Sequence, residues 1–382
     1  MGGPGVERVR DRRTGMIPEH GDQIAAALRR VVRPGASVLD LGGDFAQRAV
    51  LACRSGASRV VSVQSAASRP IAHALVAANG CHDRVEFVES AEAAAVGGRH
   101  VDVVLTEEPG GFLLYGRSLI DALRRFASSA VTPVPRREQL FVVVISSPEA
   151  YAHHVSPWDD NEWGLVLGAA RHRALNVPSR FPDAGALAAK KQLGPSACWA
   201  TVDYADLGVH TRSVQGRIEF VTTDAGVAHG LAIWSSVELA DGITFEHVCA
   251  FFPWLEPVTL SVGDRVTVAL RADAIGGTDV WSWTTGVHRQ SDEEPATRFR
   301  QSTFFGEMEP MTRVRRAESE HRPSLSEAGI IARAVLTMIR EGTTLRDISS
   351  RVAHDFPAAF SDPSAAMDTI ARLASTYARV RT

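Results

Sequence analysis

Residues 38–63 read VLDLGGDFAQRAVLACRSGASRVVSV, and the fold turns on how this stretch is parsed. An apolar strand runs into Asp40 and Gly42-Gly43, as in a nucleotide-binding turn that leads from strand to helix. Asp44, Phe45 and Ala46 then stand where a glycine-rich turn would continue. AQRAVLACRSG has helical spacing and stops at Gly56, and RVVSV follows as a second strand.

Working outward, RPIAHALVAANG has helical spacing up to Gly80, and RVEFV, VDVVLTE and QLFVVVISS are further apolar runs. Strand–helix alternation with continuous apolar strands predicts a doubly wound α/β sheet buried on both faces. Ligands of such sheets bind at the carboxyl ends of the strands, where Asp40, Gly42, Gln64 and Glu107 fall. From about 194 to 308 the pattern changes. WATVDYADL, GRIEFVT, GLAIWSSVEL, VTLSVGDRVTVALRAD, DVWSWTTGV and RFRQSTFFG predict an antiparallel sheet or β-barrel, punctuated by Gly-Asp, Asp-Gly and Gly-Gly turns. After HRPSL come three helical stretches: Leu325–Arg340, a segment capped by Thr344 with Asp347 three residues on, and about Ser364–Val380. The expected layout is a short N-terminal segment (1–20), an α/β domain (21–150), a barrel domain (151–310) and a small helical module (322–382).

The chain has 382 residues, 41 basic and 44 acidic, for a net charge of −3, so nothing favours nucleic acid as a partner. The charged N-terminus lacks the apolar core of a secretory signal, and no apolar run spans a bilayer, so a cytoplasmic protein is expected. Cys53, Cys81, Cys198 and Cys249 are scattered without a CxxC pair and read as buried thiols. His153, His154 and His172 fit no standard metal spacing, and Trp158, Trp163, Trp281 and Trp283 read as core or interface.

Residues 16–308 resemble the protein arginine methyltransferases in the order of four features. VLDLGGDFAQRAVLACRSGASRVVSVQ aligns to that family's first motif and second strand. TEEPGGFLLYG aligns to its acidic "double-E" loop, HVSPWDDNEWGL to the start of its dimerisation arm (about 155–192), and the barrel follows. The tail resembles, in length and helix pattern, the PqqD-like peptide-recognition module of bacterial peptide-modifying systems. Together these are the features of a divergent bacterial member.

The resemblance implies S-adenosylmethionine as cofactor. Asp40 and Gly42 would shape the turn beneath it, Gln64 would meet the ribose and Glu92 the adenine amine. Glu107 would be the first glutamate of a clamp that orients a guanidinium and leaves one nitrogen better able to attack. The departures are equally specific. Family glycines become Asp44 and Ala46, the ribose glutamate becomes Gln64, and the second clamp glutamate becomes Gly116. The barrel's Thr-His-Trp loop reads Thr244-Phe245-Glu246-His247, and MIPEHGDQIAAAL offers no counterpart of the upstream arginine. Glu108 or Glu246 could restore a carboxylate pair, Glu108 only if its loop leaves strand geometry. Two functions follow. One is a divergent methyltransferase acting on a peptide or a small guanidine or amine. The other is a non-catalytic scaffold or partner subunit, as a homodimer or paired with an active relative, in a peptide-modifying or natural-product pathway.

Overall fold

The structure is a computed structural model, and it describes residues 20–42, 45–90, 100–106, 117–125, 131–161, 163–181, 190–206, 213–275, 278–290, 292–306, 322 and 324–378. The chain divides into two units, Met1–Met308 and Glu309–Thr382.

The first unit opens with α1 (Gly21–Val31), then β1 (Ser37–Asp40), α2 (Gln47–Arg54), β2 (Arg59–Val63), α3 (Arg69–Ala78), β3 (Val85–Val88), β4 (Val103–Leu105), α4 (Arg117–Arg125) and β5 (Thr132–Val134). The five strands form one parallel sheet in the order β3-β2-β1-β4-β5. Alternate residues face opposite layers, as strand geometry requires. Val38, Val60 and Val103 pack with Ile24, Leu28, Ala49 and Val76 of α1–α3. Leu39, Val61 and Val104 pack with Leu119, Ile120 and Leu123 of α4, in a core continuous with that of the barrel. The direction of winding reverses between β1 and β4, which opens a crevice at their carboxyl ends.

QLFVVVISS does not extend this sheet. It lies in β6 (Arg137–Ser146), which pairs antiparallel with β11 (Gly226–Ala240) from Arg137↔Glu238 to Ile145↔Gly230. A continuous apolar run marks burial on both faces, and β6 meets that condition in the middle of the second sheet. That sheet runs β7-β12-β11-β6-β8, with β7 at Ser179–Arg180, β8 at Lys191–Gln192 and β12 at Ile243–Leu260; β9 (Ala197–Asp203) also pairs with β6. Between β6 and β7 lie α5 (Pro148–Asp159) and α6 (Gly168–Ala174). A four-stranded antiparallel sheet completes the barrel: β10 (Ser213–Val221), β13 (Arg265–Ile275), β14 (Thr278–His288) and β15 (Thr297–Ser302), followed by the short α7 (Thr303–Gly306). VTLSVGDRVTVALRAD is therefore two strands joined by a turn, β12 ending at Leu260 and β13 starting at Arg265. Trp254, Trp281 and Trp283 are fully buried in this core, whereas Trp163 is 70% exposed.

The turn between β12 and β13 is held by Asp264. Its carboxylate accepts from Ser261 N (2.9 Å), Arg289 Nη1 (2.6 Å) and Gln290 N (3.3 Å). Burial opposes ionisation, but these donors outweigh it and hold the carboxyl below its ordinary value of 3.8. A depressed folded-state pKa gives stability that is present above the unfolded value and lost as pH falls through the folded one. Asp264→Asn is expected to cost about 2 kcal/mol near neutrality, a figure that allows for the exposure of Arg289. The cost should shrink below pH 4, which urea titrations at pH 7 and pH 3 would measure.

Cys53 and Cys81 are buried as expected, and burial pushes the Cys53 thiol up to about 12. Cys198 is exposed, contrary to the expectation of four buried thiols, because it points outward from β9. The Cys249 side chain lies outside the described residues. Among the described residues, no helix is long and apolar enough to cross a membrane.

The second unit contains α8 (Glu327–Arg340), α9 (Leu345–Asp355) and α10 (Pro363–Tyr377). Val335, Ile348, Val352 and Ile370 form its core. The Thr344 cap is present: its hydroxyl accepts from Asp347 N (3.2 Å) and donates to Asp347 Oδ2 (2.7 Å). Ser326 and Asp362 cap the other two helices.

Candidate functional site

The β1–α2 turn stands at the crevice. Gly42 has φ +88°, and a Cβ there would lie 1.9 Å from the Val63 carbonyl oxygen. Only glycine lets the turn close against the end of β2. Phe45 and Ala46 also have positive φ, 53° and 69°. Neither is glycine, so each holds a left-handed backbone that L-residues rarely adopt. Gly43 and Asp44 lie outside the described residues.

Asp40 is fully buried and faces α2. Its Oδ1 accepts from Gly42 N and from Nε and Nη2 of Arg48, each at 3.2 Å, and its Oδ2 accepts from Ser62 Oγ at 2.8 Å. Arg48 is 1% exposed and also donates to the Gly42 carbonyl oxygen. One guanidinium thus neutralises the aspartate and braces the turn. Sequence reasoning missed Arg48 because a charged residue on a helix reads as solvent-facing. The signal available was that Asp40, on a strand buried on both faces, needs a cation.

Gln64 follows β2 and is 3% exposed. Its Nε2 donates to Ser62 Oγ (3.2 Å), and its Oε1 accepts from Ser68 Oγ (3.1 Å). Asp40, Ser62, Gln64 and Ser68 form one hydrogen-bonded chain under the carboxyl ends of β1 and β2. One amide hydrogen and one lone pair of Gln64 remain beyond these two bonds.

Thr106 follows β4 and is buried, and Leu41 N donates to Leu105 O (3.0 Å) where β1 and β4 part. Glu107 and Glu108 come next in the chain; they, Gly116 and Glu92 lie outside the described residues. Thr244-Phe245-Glu246-His247 is the start of β12 rather than a loop. Phe245 is buried with the α1–α3 core and stacks on His20 (ring centroids 3.8 Å apart). Glu246 pairs in register with Ser236 of β11. Burial raises its carboxyl above the usual range, against hydrogen bonds from Ser236 and Trp234. The residue as a whole is exposed. His154 bonds the Ala174 carbonyl, and burial lowers its pKa.

No protein-family model matches the chain. A probable protein arginine N-methyltransferase 6 of Arabidopsis thaliana is 25% identical over 210 residues, covering 54% of this chain and 48% of that one. The histone-arginine methyltransferase CARMER of Anopheles gambiae is 25% identical over 214 residues, covering 53% of this chain and 34% of that one. Among solved structures, the Trypanosoma brucei PRMT1 enzyme–prozyme complex with AdoHcy superposes with a TM-score of 0.61 at 14% identity, covering 74% of this chain and 94% of that one. Protein arginine methyltransferase 10 of Arabidopsis thaliana gives 0.58 at 15%, covering 74% and 93%.

By sequence and by fold, this chain is a relative of the protein arginine methyltransferases.

It spans about half the length of the plant relative and about a third of the mosquito one. The likeness to the solved structures is one of fold: a parallel sheet joined to an antiparallel barrel. Within this fold, the buried Arg48–Asp40 pair and the Ser62–Gln64–Ser68 chain lie at the β1–α2 turn and the end of β2.

Proposed function

We propose that the chain is an S-adenosylmethionine-dependent N-methyltransferase of altered site, acting on a peptide or a small guanidine or amine. The observation that carries this reading is the Gly42 cradle. A left-handed glycine is pressed against the end of β2, at the switch point of a parallel sheet, with a buried acid before it. That glycine brings the turn against the end of β2, at the carboxyl ends of the parallel strands where the crevice opens.

Gly42 and the spare amide hydrogen of Gln64 would hold the cofactor, with Glu92 toward its base. Bound there, the cofactor supplies an electrophilic methyl group on sulfur. Asp40, paired with Arg48, fixes the turn. Glu107, next after Thr106, would orient the nucleophile and draw its positive charge away from the attacking nitrogen. Glu108 and Glu246 are the candidates for a second carboxylate. Glu246, raised by burial, is the better held of the two to share a proton with an amine. The helical unit would engage the peptide. The exposed Trp163, Leu165 and Val166 would form a protein contact, in a homodimer or with an active relative.

The test is turnover of methyl-labelled cofactor on mixed arginine- and amine-containing peptides, with product read by mass spectrometry. Methylation is expected, and Glu107→Ala should lower it at least about a hundredfold.

A second reading has its own observation. Asp40, Arg48 and Gln64 are all nearly fully buried, and each is bonded internally. At 3% exposure, Gln64 meets a ribose only if the packing around it moves. That closure favours a non-catalytic partner subunit. The solved neighbour from Trypanosoma brucei is itself described as an enzyme–prozyme assembly. No turnover by the chain alone, with turnover gained on adding an active relative, would establish this second reading.

A further inference from the structure

The outer face of the four-stranded barrel sheet carries a hollow of about 490 Å³. A second hollow, of about 570 Å³, shares Arg217, Ala269 and Thr284 with it, so the two form one elongated trough. Strand register explains its shape. Arg217 of β10, Ala269 of β13, Thr284 of β14 and Arg300 of β15 are successive partners in one row across the sheet. The next row ends in Thr267, Gly286 and Arg298. Small side chains thus make the floor, and arginines of the two outer strands make the walls. With strands about 4.8 Å apart, the Arg217 and Arg300 Cα atoms stand about 14 Å from each other.

The charges on this face do not cancel. Glu219 pairs with Arg265 (3.7 Å) and Asp273 with Arg271 (2.7 Å). Arg217, Arg298 and Arg300 are exposed, and no described carboxylate comes within ion-pair distance of any of them. These three guanidiniums line one hollow with Glu293 and Glu294 but pair with neither, so they repel one another, and an anion that bridges them removes that cost. The planar fork of each suits a carboxylate in particular. Glu293, Glu294 and His288 line only the first of the two hollows.

We propose that this trough binds an acidic peptide segment, laid extended over Ala269 and Thr284 with its carboxylates between Arg217 and the Arg298–Arg300 edge. A trough longer than one hollow, floored with hydroxyl groups, suits a chain better than a compact anion. The site lies on the barrel and is independent of whether the α/β half holds a nucleoside, so its test is separate from that of methyl transfer.

Fluorescein-labelled hexaglutamate and the full-length chain would be titrated by fluorescence anisotropy at low ionic strength. Saturable binding is expected, weakening as salt rises. The double variant Arg217→Ala/Arg300→Ala should lose at least about tenfold in affinity with its circular dichroism unchanged. If that variant does not fold, Thr284→Glu, which sets a carboxylate on the floor, should give the same loss. The proposal is overturned by an absence of saturable binding at millimolar peptide, by binding that the folded variants leave unchanged, or by equal binding of hexalysine. Displacement by inorganic tripolyphosphate at lower concentration than the peptide itself also overturns it, since the site would then be one for phosphate.

Discussion

Replacing Arg48 with leucine is expected to destabilise the first unit by about 3–5 kcal/mol, because it leaves a buried carboxylate without its cation. The Arg48 and Asp40 side chains are 1% and 0% exposed, so water cannot take the place of the guanidinium. Leucine also abandons the Gly42 carbonyl, a second acceptor that Arg48 serves. The double variant Asp40→Asn/Arg48→Leu removes the stranded charge and should recover about 2 kcal/mol of the loss. All seven tryptophans lie in the first unit, so their fluorescence during urea unfolding follows this unit and not the helical one. If Arg48→Leu alone is as stable as the parent, the guanidinium does not neutralise Asp40 in solution.

Gly42→Ala is the second large effect. A left-handed φ costs an L-residue about 1–2 kcal/mol. The clash of its Cβ with the Val63 carbonyl, a backbone atom that cannot swing aside, adds roughly 1–3 kcal/mol. A total of about 2–5 kcal/mol is expected, again read by urea unfolding. Gly242 separates the two causes. It has φ +73° and nothing within 4 Å of an added Cβ, so Gly242→Ala carries the conformational cost alone. Equal losses at the two glycines would mean that the β1–α2 turn does not press on β2.

The parallel sheet was legible because SVLDL, RVVSV and VDVVL are short apolar runs separated by helical spacing, and such runs have few other stable homes. The Thr344–Asp347 cap was legible because it is local: donor and acceptor lie three residues apart. QLFVVVISS was misplaced because its composition reports burial on both faces and says nothing of which sheet supplies it; only pairing with β11, some ninety residues on, decides that. Arg48 was hidden for a related reason. Helical spacing places it next to buried Ala49, but its partner Asp40 is met through the fold of the turn. Arg298 and Arg300 read singly as an ordinary solvent face of β15, and their opposite number, Arg217, is eighty residues away in the chain. The Thr244–His247 segment misled in the other direction. A family loop was expected, whereas Phe245 is drawn into the α1–α3 core and holds the segment in β12.

In the β1–α2 turn a left-handed Gly42 lies close against β2, and the polar groups beneath it are partners of one another. Calorimetric titration of the full-length chain with S-adenosylhomocysteine measures whether that turn opens to a ligand. A saturable one-to-one heat is expected, with Gln64→Ala weakening it by about 1 kcal/mol. No heat at millimolar nucleoside, from protein shown to be folded, would contradict a methyltransferase site and leave the fold as a scaffold.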